Sequence, residues 1–221
     1  MKVILFGATG MVGEGVLHEA LLDDGVEAVL VVGRRACGET HPKVREVLHN
    51  DFFDYAAIRE QLRGYDACLF CLGVTSIGKS EAEYTRLTYD LTMAAARALV
   101  QENPGMVFCY ISGVGTDSTE HGKSMWARVK GKTENDLMRL GFRDTYAFRP
   151  GFIKPSPGQK RAFTAAKMLG PLYPVLHLVT PRWVCTMQDL GRAMLRVCRT
   201  GYEKKVVECV DIEKLGGFPA A

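Results

Sequence analysis

The sequence predicts an α/β fold, a doubly wound parallel sheet with helices on both faces and a small C-terminal cap. Short β-branched runs alternate along the chain with longer segments of helical periodicity, which is the pattern of βαβ units. The 221 residues, 47% of them hydrophobic and 24% charged, have the length and composition of one globular domain. We therefore expect a single domain over 1–221, with its core at 1–150 and the cap at 151–221.

The alternation assigns the elements in chain order. Strands are predicted at 2–6, 28–32, 44–48, 67–72, 106–111 and 144–149. Helices are predicted at 11–23, 55–63, 81–102 and 124–140. Ser80 with Glu83 predicts a capping box before the third helix, and Gly64 and Gly141 predict helix ends. After a proline-rich loop, a helix near 187–199 and a strand near 205–210 complete the predicted cap.

Charge and cysteine content exclude several classes of function. The net charge is only +3 and the basic residues are scattered, which argues against a nucleic-acid partner. The seven cysteines are an odd number, and Cys68 and Cys109 fall in apolar runs, where a thiol behaves as a small hydrophobe. Cys68 and Cys71 form a C-x-x-C with no second pair at ligand spacing, so no metal site is expected. Free thiols predict a reducing, cytoplasmic location.

No segment is long and apolar enough to be predicted as a membrane span. The longest apolar region, Leu169–Val179, is interrupted by Pro171 and Pro174 and is shorter than the roughly 20 residues that a bilayer requires. The apolar start of the chain ends at Gly7 without a cleavage site, as a strand would and a signal peptide would not. Apolar and aromatic residues gather in Leu169–Trp183. They are explained either by peripheral contact with a membrane or, more simply, by packing against the sheet.

Three glycines separate the first strand from the first helix. A pyrophosphate approaches closely where the backbone lacks Cβ atoms, and the free N–H groups and dipole of a helix start attract the anion. We interpret Gly7 as the turn, Gly10 as the point of approach and Gly13 as the contact between helix and strand. This arrangement predicts a Rossmann-type dinucleotide-binding fold with a nicotinamide cofactor. The predicted cradle residues are Gly7, Thr9, Gly10, Met11, Val12 and Gly13.

The end of the second strand predicts NADP(H) rather than NAD(H). A carboxylate that holds the ribose hydroxyl of NAD is expected there, but this chain has Arg34 and Arg35 after Gly33. An arginine fork binds a 2′-phosphate through charge-assisted hydrogen bonds; the alternative is a solvated arginine pair. Residues after the third and fourth strands are expected at the adenine edge and on the floor of the adenosine pocket. They are Asp51, Phe52, Cys71, Leu72 and Gly73.

With the glycine spacing, Ser112 after the fifth strand, Lys130 on the next helix and Arg149-Pro150-Gly151 after the sixth, the chain resembles the atypical short-chain dehydrogenase/reductases. Within them it looks most like the NAD(P)-binding proteins called nucleoside-diphosphate-sugar epimerase-like, and the Tat-interacting oxidoreductase group. The resemblance implies activity on a small carbonyl or alcohol. It also implies cofactor contacts at Lys130, Pro150 and Gly151, and a catalytic role for Ser112, which steadies the carbonyl.

One position departs from that superfamily. Its members carry a tyrosine four residues before the lysine, whose charge lowers the phenol pKa; here that position is Trp126. An indole N–H is a hydrogen-bond donor only, so Trp126 cannot act as the acid or base. Either another group transfers the proton, or the chain is a non-catalytic NADP(H)-binding sensor or regulatory module.

The candidates for a replacement proton donor are Tyr84, Tyr89, Asp117 and His121. Helix packing is the simpler explanation of the two tyrosines, and solvation is the simpler explanation of His121. Thr88 and Tyr89 fall near the position where related enzymes often carry an active-site asparagine. The substrate is expected over the nicotinamide at the carboxyl ends of the strands, beneath the segment 152–185.

Overall fold

Seven parallel strands form the main sheet. The computed structural model describes residues 1–162, 166 and 169–217. Strands are numbered in chain order, and β7 (Phe152–Lys154) and β8 (Val184–Thr186) form a second sheet. The strands of the main sheet are β1 (Lys2–Phe6), β2 (Ala28–Gly33), β3 (Val44–Leu48), β4 (Ala67–Phe70), β5 (Val107–Ile111), β6 (Asp144–Arg149) and β9 (Val206–Glu208). Their order is β3-β2-β1-β4-β5-β6-β9, all parallel. The strand order reverses beside β1, which opens a crevice at the carboxyl ends of β1 and β4. The predicted fold class is confirmed.

Helices cover both faces of the sheet. They are α1 (Met11–Leu22), α2 (Glu81–Thr85), α3 (Leu91–Glu102), α4 (Met125–Met138), α5 (Tyr173–Val179), α6 (Met187–Thr200) and α7 (Cys209–Gly216). Because successive side chains of a strand point to opposite faces, Val3 and Leu5 of β1 enter one core cluster and Ile4 and Phe6 enter the other. The first cluster includes residues of α1, α6 and α7, and the second includes residues of α3.

The six predicted strands of the core are present within two residues of their predicted bounds, and two helices differ in type. The segment predicted at 55–63 is a 3₁₀ helix, Ala56–Leu62, and the segment at 81–102 contains a π-helical turn, Arg86–Asp90. Over so few residues, the spacing of apolar side chains does not distinguish a 3₁₀ or π-helical turn from an α-helical one. The Ser80 hydroxyl accepts from the Glu83 N–H at 3.2 Å, which is one of the two hydrogen bonds of the predicted capping box. The Glu83 carboxylate pairs with Lys79 instead.

The C-terminal part differs more from its prediction. The strand predicted at 205–210 is wrong beyond Glu208, because Glu208 and Asp211 form a capping box that starts α7 at Cys209. The sequence also did not predict a separate two-stranded parallel sheet, which joins β7 (Phe152–Lys154) to β8 (Val184–Thr186). Positions 163–165, 167–168 and 218–221 of the predicted cap lie outside the described residues.

The expectation that Leu169–Trp183 packs against the sheet is wrong. Most of its large apolar side chains are exposed, among them Leu172, Val175 and Leu178. Apolar residues surround the short helix α5, and a helix can bury only the face that it turns to its neighbours. No helix within the described ranges is long and apolar enough to cross a membrane.

A buried ion pair joins β6 to α4. Arg149 donates to both carboxylate oxygens of Glu134, at 3.0 and 2.5 Å, and to the Ser118 hydroxyl. The Glu134 side chain is 1% exposed and that of Arg149 is 13% exposed. The pair therefore fixes α4 and the loop before it against the last strand of the core.

Arg149→Ala is expected to lower the free energy of unfolding by about 3–5 kcal/mol, because it leaves the Glu134 carboxylate buried without its partner. Urea denaturation measures the change. The matched control is Arg139→Ala, which removes an exposed ion pair with Asp136 and should cost no more than about 1 kcal/mol. Equal losses in the two variants would show that the buried pair contributes no more than a surface one.

Candidate cofactor and active site

Two of the three glycines that follow β1 are required by the backbone itself. Gly7 has φ +84, and a Cβ there would lie 2.7 Å from the carbonyl oxygen of Cys71. A Cβ on Gly13 would lie 2.0 Å from the carbonyl oxygen of Gly7. Gly10 differs, because its φ is −100 and its nearest neighbour would be 3.4 Å away. The fold alone does not require a glycine at Gly10, so its missing side chain leaves room for something else.

The first turn of α1 faces this space with free donors. Gly10 is the N-cap residue and provides no side chain to cap the helix. The N–H groups of Met11, Val12 and Gly13, at the start of the helix, have no acceptor within it. Together with the helix dipole these N–H groups favour an anion in the space beside Gly10.

Arg34 and Arg35 follow β2 as predicted, and both side chains are exposed. In the part of the chain that the structure describes, neither guanidinium forms an ion pair with a carboxylate. Because Val32 of β2 pairs with Phe6 of β1, the backbone of Arg34 and Arg35 follows the strand end that lies beside the glycine loop.

A third arginine, which the sequence did not predict, reaches the same region from the C-terminal segment. Arg161 donates to the carbonyl oxygens of Ala8 and Cys37, at 2.7 and 2.6 Å. The backbone N–H of Arg161 donates to the Glu14 carboxylate at 2.8 Å, and Gln159 donates to the Met11 carbonyl. No local signal identifies Arg161, because its partner Ala8 lies 153 positions earlier in the chain.

Of the two residues predicted at the adenine edge, Asp51 is exposed to solvent and Phe52 is buried. Asp51 is exposed, and its carboxylate accepts from the Phe53 N–H at 2.9 Å. The Phe52 ring is buried against Phe6, with ring centroids 6.2 Å apart.

The residues after β4 lie directly behind the glycine loop. A Cβ on Gly7 would meet the Cys71 carbonyl and, at 2.9 Å, the Leu72 nitrogen. Burial raises the pKa of the Cys71 thiol, which keeps it protonated. The space where a Cβ of Gly73 would lie is open.

Ser112 and Lys130 lie together at the end of β5. The Ser112 hydroxyl donates to the Phe148 carbonyl at 3.0 Å, and the Lys130 ammonium donates to the Ser112 carbonyl at 2.5 Å. Burial lowers the pKa of Lys130 to about 8, and the nearby Glu134 carboxylate opposes this shift. The lysine therefore exchanges its proton far closer to neutral pH than an exposed lysine does.

Trp126 begins the same face of α4, one turn before Lys130. Its half-buried ring packs near Gly115 in the loop after β5, where an added Cβ would lie 3.5 Å from the ring. The tyrosine position of the superfamily is thus filled by a ring held between α4 and that loop.

The four candidates for a replacement proton donor are hydrogen-bonded, buried or exposed. The Tyr89 hydroxyl donates to Asp136 at 2.8 Å, and burial raises the pKa of Tyr84. Hydrogen bonds from Thr119 and from the Gly122 N–H lower the pKa of Asp117, so that it is a carboxylate at neutral pH. His121 is exposed in a loop, and Thr88 is buried in the π-helical turn.

Pro150 and Gly151 connect the end of β6 to its neighbours. The Pro150 carbonyl accepts from the Val114 N–H at 3.0 Å, and the Gly151 N–H donates to Cys209 Sγ at 3.3 Å. A Cβ on Gly151 would lie 2.2 Å from the Trp183 carbonyl oxygen.

Within the described ranges, no group of three or more His, Cys, Asp or Glu side chains is placed to hold a metal ion.

Relatives of similar sequence are fungal proteins named FMP52. The chain is 29% identical to mitochondrial fmp52-1 of Aspergillus oryzae over 168 residues, 73% of this chain and 70% of the relative. It is 26% identical to mitochondrial fmp52 of Emericella nidulans over 201 residues, 87% and 84% of the two chains. No family model matches the sequence.

These relatives correct one prediction and leave another open. The cytoplasmic location is contradicted, because the FMP52 relatives are named mitochondrial. Free thiols indicate reducing surroundings and dense packing, and neither property specifies a compartment. The narrower resemblance to the Tat-interacting oxidoreductases stays a prediction.

Solved structures share the fold at low sequence identity. A UDP-N-acetylglucosamine 4-epimerase from Methanobrevibacter ruminantium has a TM-score of 0.66 at 14% identity, with 93% of this chain and 75% of that chain covered. DesIV, a dTDP-glucose 4,6-dehydratase from Streptomyces venezuelae solved with NAD, has a TM-score of 0.65 at 17% identity, with 93% and 74% covered. WbmF from Bordetella bronchiseptica, solved with NAD⁺, has a TM-score of 0.63 at 15% identity, with 98% and 78% covered. The chain therefore has the fold of these three structures.

Proposed function

We propose that the protein is an NADP(H)-dependent oxidoreductase or epimerase-like enzyme that acts on a small carbonyl or alcohol. The observation that carries this proposal is the space beside Gly10. The backbone does not require a glycine at this position, and the free N–H groups at the start of α1 face the space. A pyrophosphate fits that space. The NAD named in the structures of DesIV and WbmF supports a nicotinamide cofactor in this fold.

The preference for NADP(H) rests on three arginines. Arg34 and Arg35 lie at the end of β2, and Arg161 connects the glycine loop to Cys37 in the next loop. A 2′-phosphate on the adenosine ribose would be bound by Arg34 and Arg35 in charge-assisted pairs. Arg161, whose guanidinium donates to the Ala8 and Cys37 carbonyls, would add a positive charge nearby. NAD(H) has only hydroxyls there and would leave the positive charges without an anion.

Lys130 and Ser112 would act at the other end of the cofactor. The bound cofactor supplies or accepts the hydride. Lys130 would hold the nicotinamide ribose, and the Ser112 hydroxyl would turn from the Phe148 carbonyl to the substrate oxygen. Since Trp126 cannot titrate, we assign the proton transfer to the Lys130 ammonium, whose pKa of about 8 suits exchange near neutral pH.

Trp126 itself favours the second candidate function, a non-catalytic module that senses NADP(H). The phenol that the superfamily uses is missing, and the ring that replaces it packs near Gly115. The two functions share the cofactor site and differ only in turnover, so they can be separated by experiment.

The Arg34→Ala, Arg35→Ala double variant is expected to lose NADPH affinity by about tenfold or more, because each charged hydrogen bond contributes about 1.5–3 kcal/mol. Its NADH affinity should change little. Calorimetric titration of both nucleotides measures the difference. The control is Arg97→Ala, Arg139→Ala, which removes two exposed arginines from the helices. Equal affinity of the wild type for NADPH and NADH would refute the NADP preference.

Gly10→Val is expected to leave the protein folded but to abolish the rise in melting temperature that NADPH causes, because the side chain fills the space for the pyrophosphate. The control is Gly105→Val, just before β5 at the amino ends of the strands, where an added Cβ meets nothing within 4 Å. This control should keep the NADPH-induced shift. A shift retained in Gly10→Val would place the cofactor elsewhere.

Trp126→Phe is expected to leave measurable turnover if the protein is an enzyme, because no proton that the reaction needs resides on the ring. Trp126→Tyr restores the tyrosine-lysine spacing with Lys130. NADPH oxidation is followed for the wild type and both variants over a panel of carbonyl compounds, with NADPH titration as proof of an intact site. Turnover that appears only in Trp126→Tyr would instead support the sensor, and turnover lost in Trp126→Phe would contradict our assignment of the proton.

A further inference from the structure

The C-terminal segment presents an apolar surface to solvent, which we call the cap face. It consists of Leu169, Leu172, Val175, Leu178, Val179 and Trp183. Leu178 is 83% exposed, Val179 71% and Trp183 58%. Scattered exposed apolar residues are ordinary, but six within fifteen positions on one short helix and its flanks are typical of an interaction surface.

An open groove of about 440 Å³ runs into this surface and is lined almost entirely by apolar side chains. Phe152 and Val184, at the starts of β7 and β8, form its inner end, and Leu172 and Trp183 form its rim. Since Phe152 follows Gly151 directly, the groove adjoins the end of β6 and the candidate active site.

The charge of the same segment is one-sided. Residues 151–188 contain no aspartate or glutamate, although the whole chain has 25. The segment contains five basic residues, which are Lys154, Lys160, Arg161, Lys167 and Arg182. Lys160 and Arg182 are exposed. Acidic residues approach the segment from neighbouring elements. Glu213 of α7 lies 3.0 Å from His177, and the Glu14 carboxylate of α1 accepts from the backbone N–H groups of Lys160 and Arg161.

We propose that the cap face docks on the surface of an anionic lipid bilayer. The apolar side chains of α5 and Trp183 would enter the boundary between head groups and acyl chains, and Lys160 and Arg182 would contact the anionic head groups. Amphipathic segments that combine leucine and tryptophan with basic residues bind membranes in this way. A tryptophan is well suited to that boundary because its ring is apolar and its N–H is polar.

The charge argues against a second copy of the chain as the occupant. A two-fold contact through the cap face would bring the same surface of both molecules together. Each partner would then bring its basic residues toward those of the other copy, while the acidic residue beside α5, Glu213, is already paired with His177. An anionic bilayer satisfies both the apolar surface and its positive charge.

The test is flotation of the purified full chain with vesicles of phosphatidylcholine, with and without phosphatidylglycerol. Binding is expected to the anionic vesicles and should weaken as salt is added. Leu178→Glu with Val179→Glu should lower that binding by about tenfold or more, because it puts charge into the apolar contact. The matched control is Leu22→Glu with Leu48→Glu, two leucines exposed at 63% and 64% outside the cap face, which should bind as the wild type does.

A second pair, Lys160→Glu with Arg182→Glu, leaves the apolar residues intact and should lower binding to the anionic vesicles alone. If the Leu178→Glu, Val179→Glu variant does not fold, this second pair tests whether the cap face binds the vesicles. Far-ultraviolet circular dichroism establishes the fold of each variant. Absence of wild-type flotation at low salt would overturn the proposal. A wild-type dimer in sedimentation that Leu178→Glu dissociates would also overturn it, in favour of a second copy.

Discussion

The close approach of α1 to β1 is the contact on which the rest of the structure depends. A Cβ on Gly13 would lie 2.0 Å from the Gly7 carbonyl, so the helix can start where it does only because residue 13 has no side chain. Since β1 is flanked by β2 and β4, that contact aims the start of α1 at the crevice between their carboxyl ends. The contact positions the N–H groups of the anion site. The arginines after β2 and the Ala8 carbonyl that binds Arg161 lie beside it.

Features encoded in short stretches of sequence could be predicted, and features made by distant contacts could not. The glycine loop, the core strands and the cap at Ser80 each need only a few neighbouring residues. Arg161 and the pair of Arg149 with Glu134 depend on segments that meet only after the sheet has formed. The strands β7 and β8 have three residues each, too few for an alternating pattern to be distinguished.

The C-terminal segment shows why composition does not determine which side chains are buried. Leu169–Trp183 is apolar enough to suggest packing against the sheet, yet several of its side chains are exposed. Burial requires a neighbouring surface, and a short helix that is apolar on several sides has more apolar area than one contact can cover. Composition is equally uninformative for the cysteines. Most of them are buried as small apolar side chains, and that role does not identify a compartment.

The face of α4 connects the stability of the fold to the chemistry of the site. Trp126, Lys130 and Glu134 are spaced four residues apart and so follow one face of the helix. Burial favours the neutral amine of Lys130, and the Glu134 carboxylate opposes that effect. Because Arg149 already pairs with Glu134, part of the negative charge that would hold the Lys130 proton is compensated. The lysine is left able to exchange its proton near neutral pH without a phenol beside it.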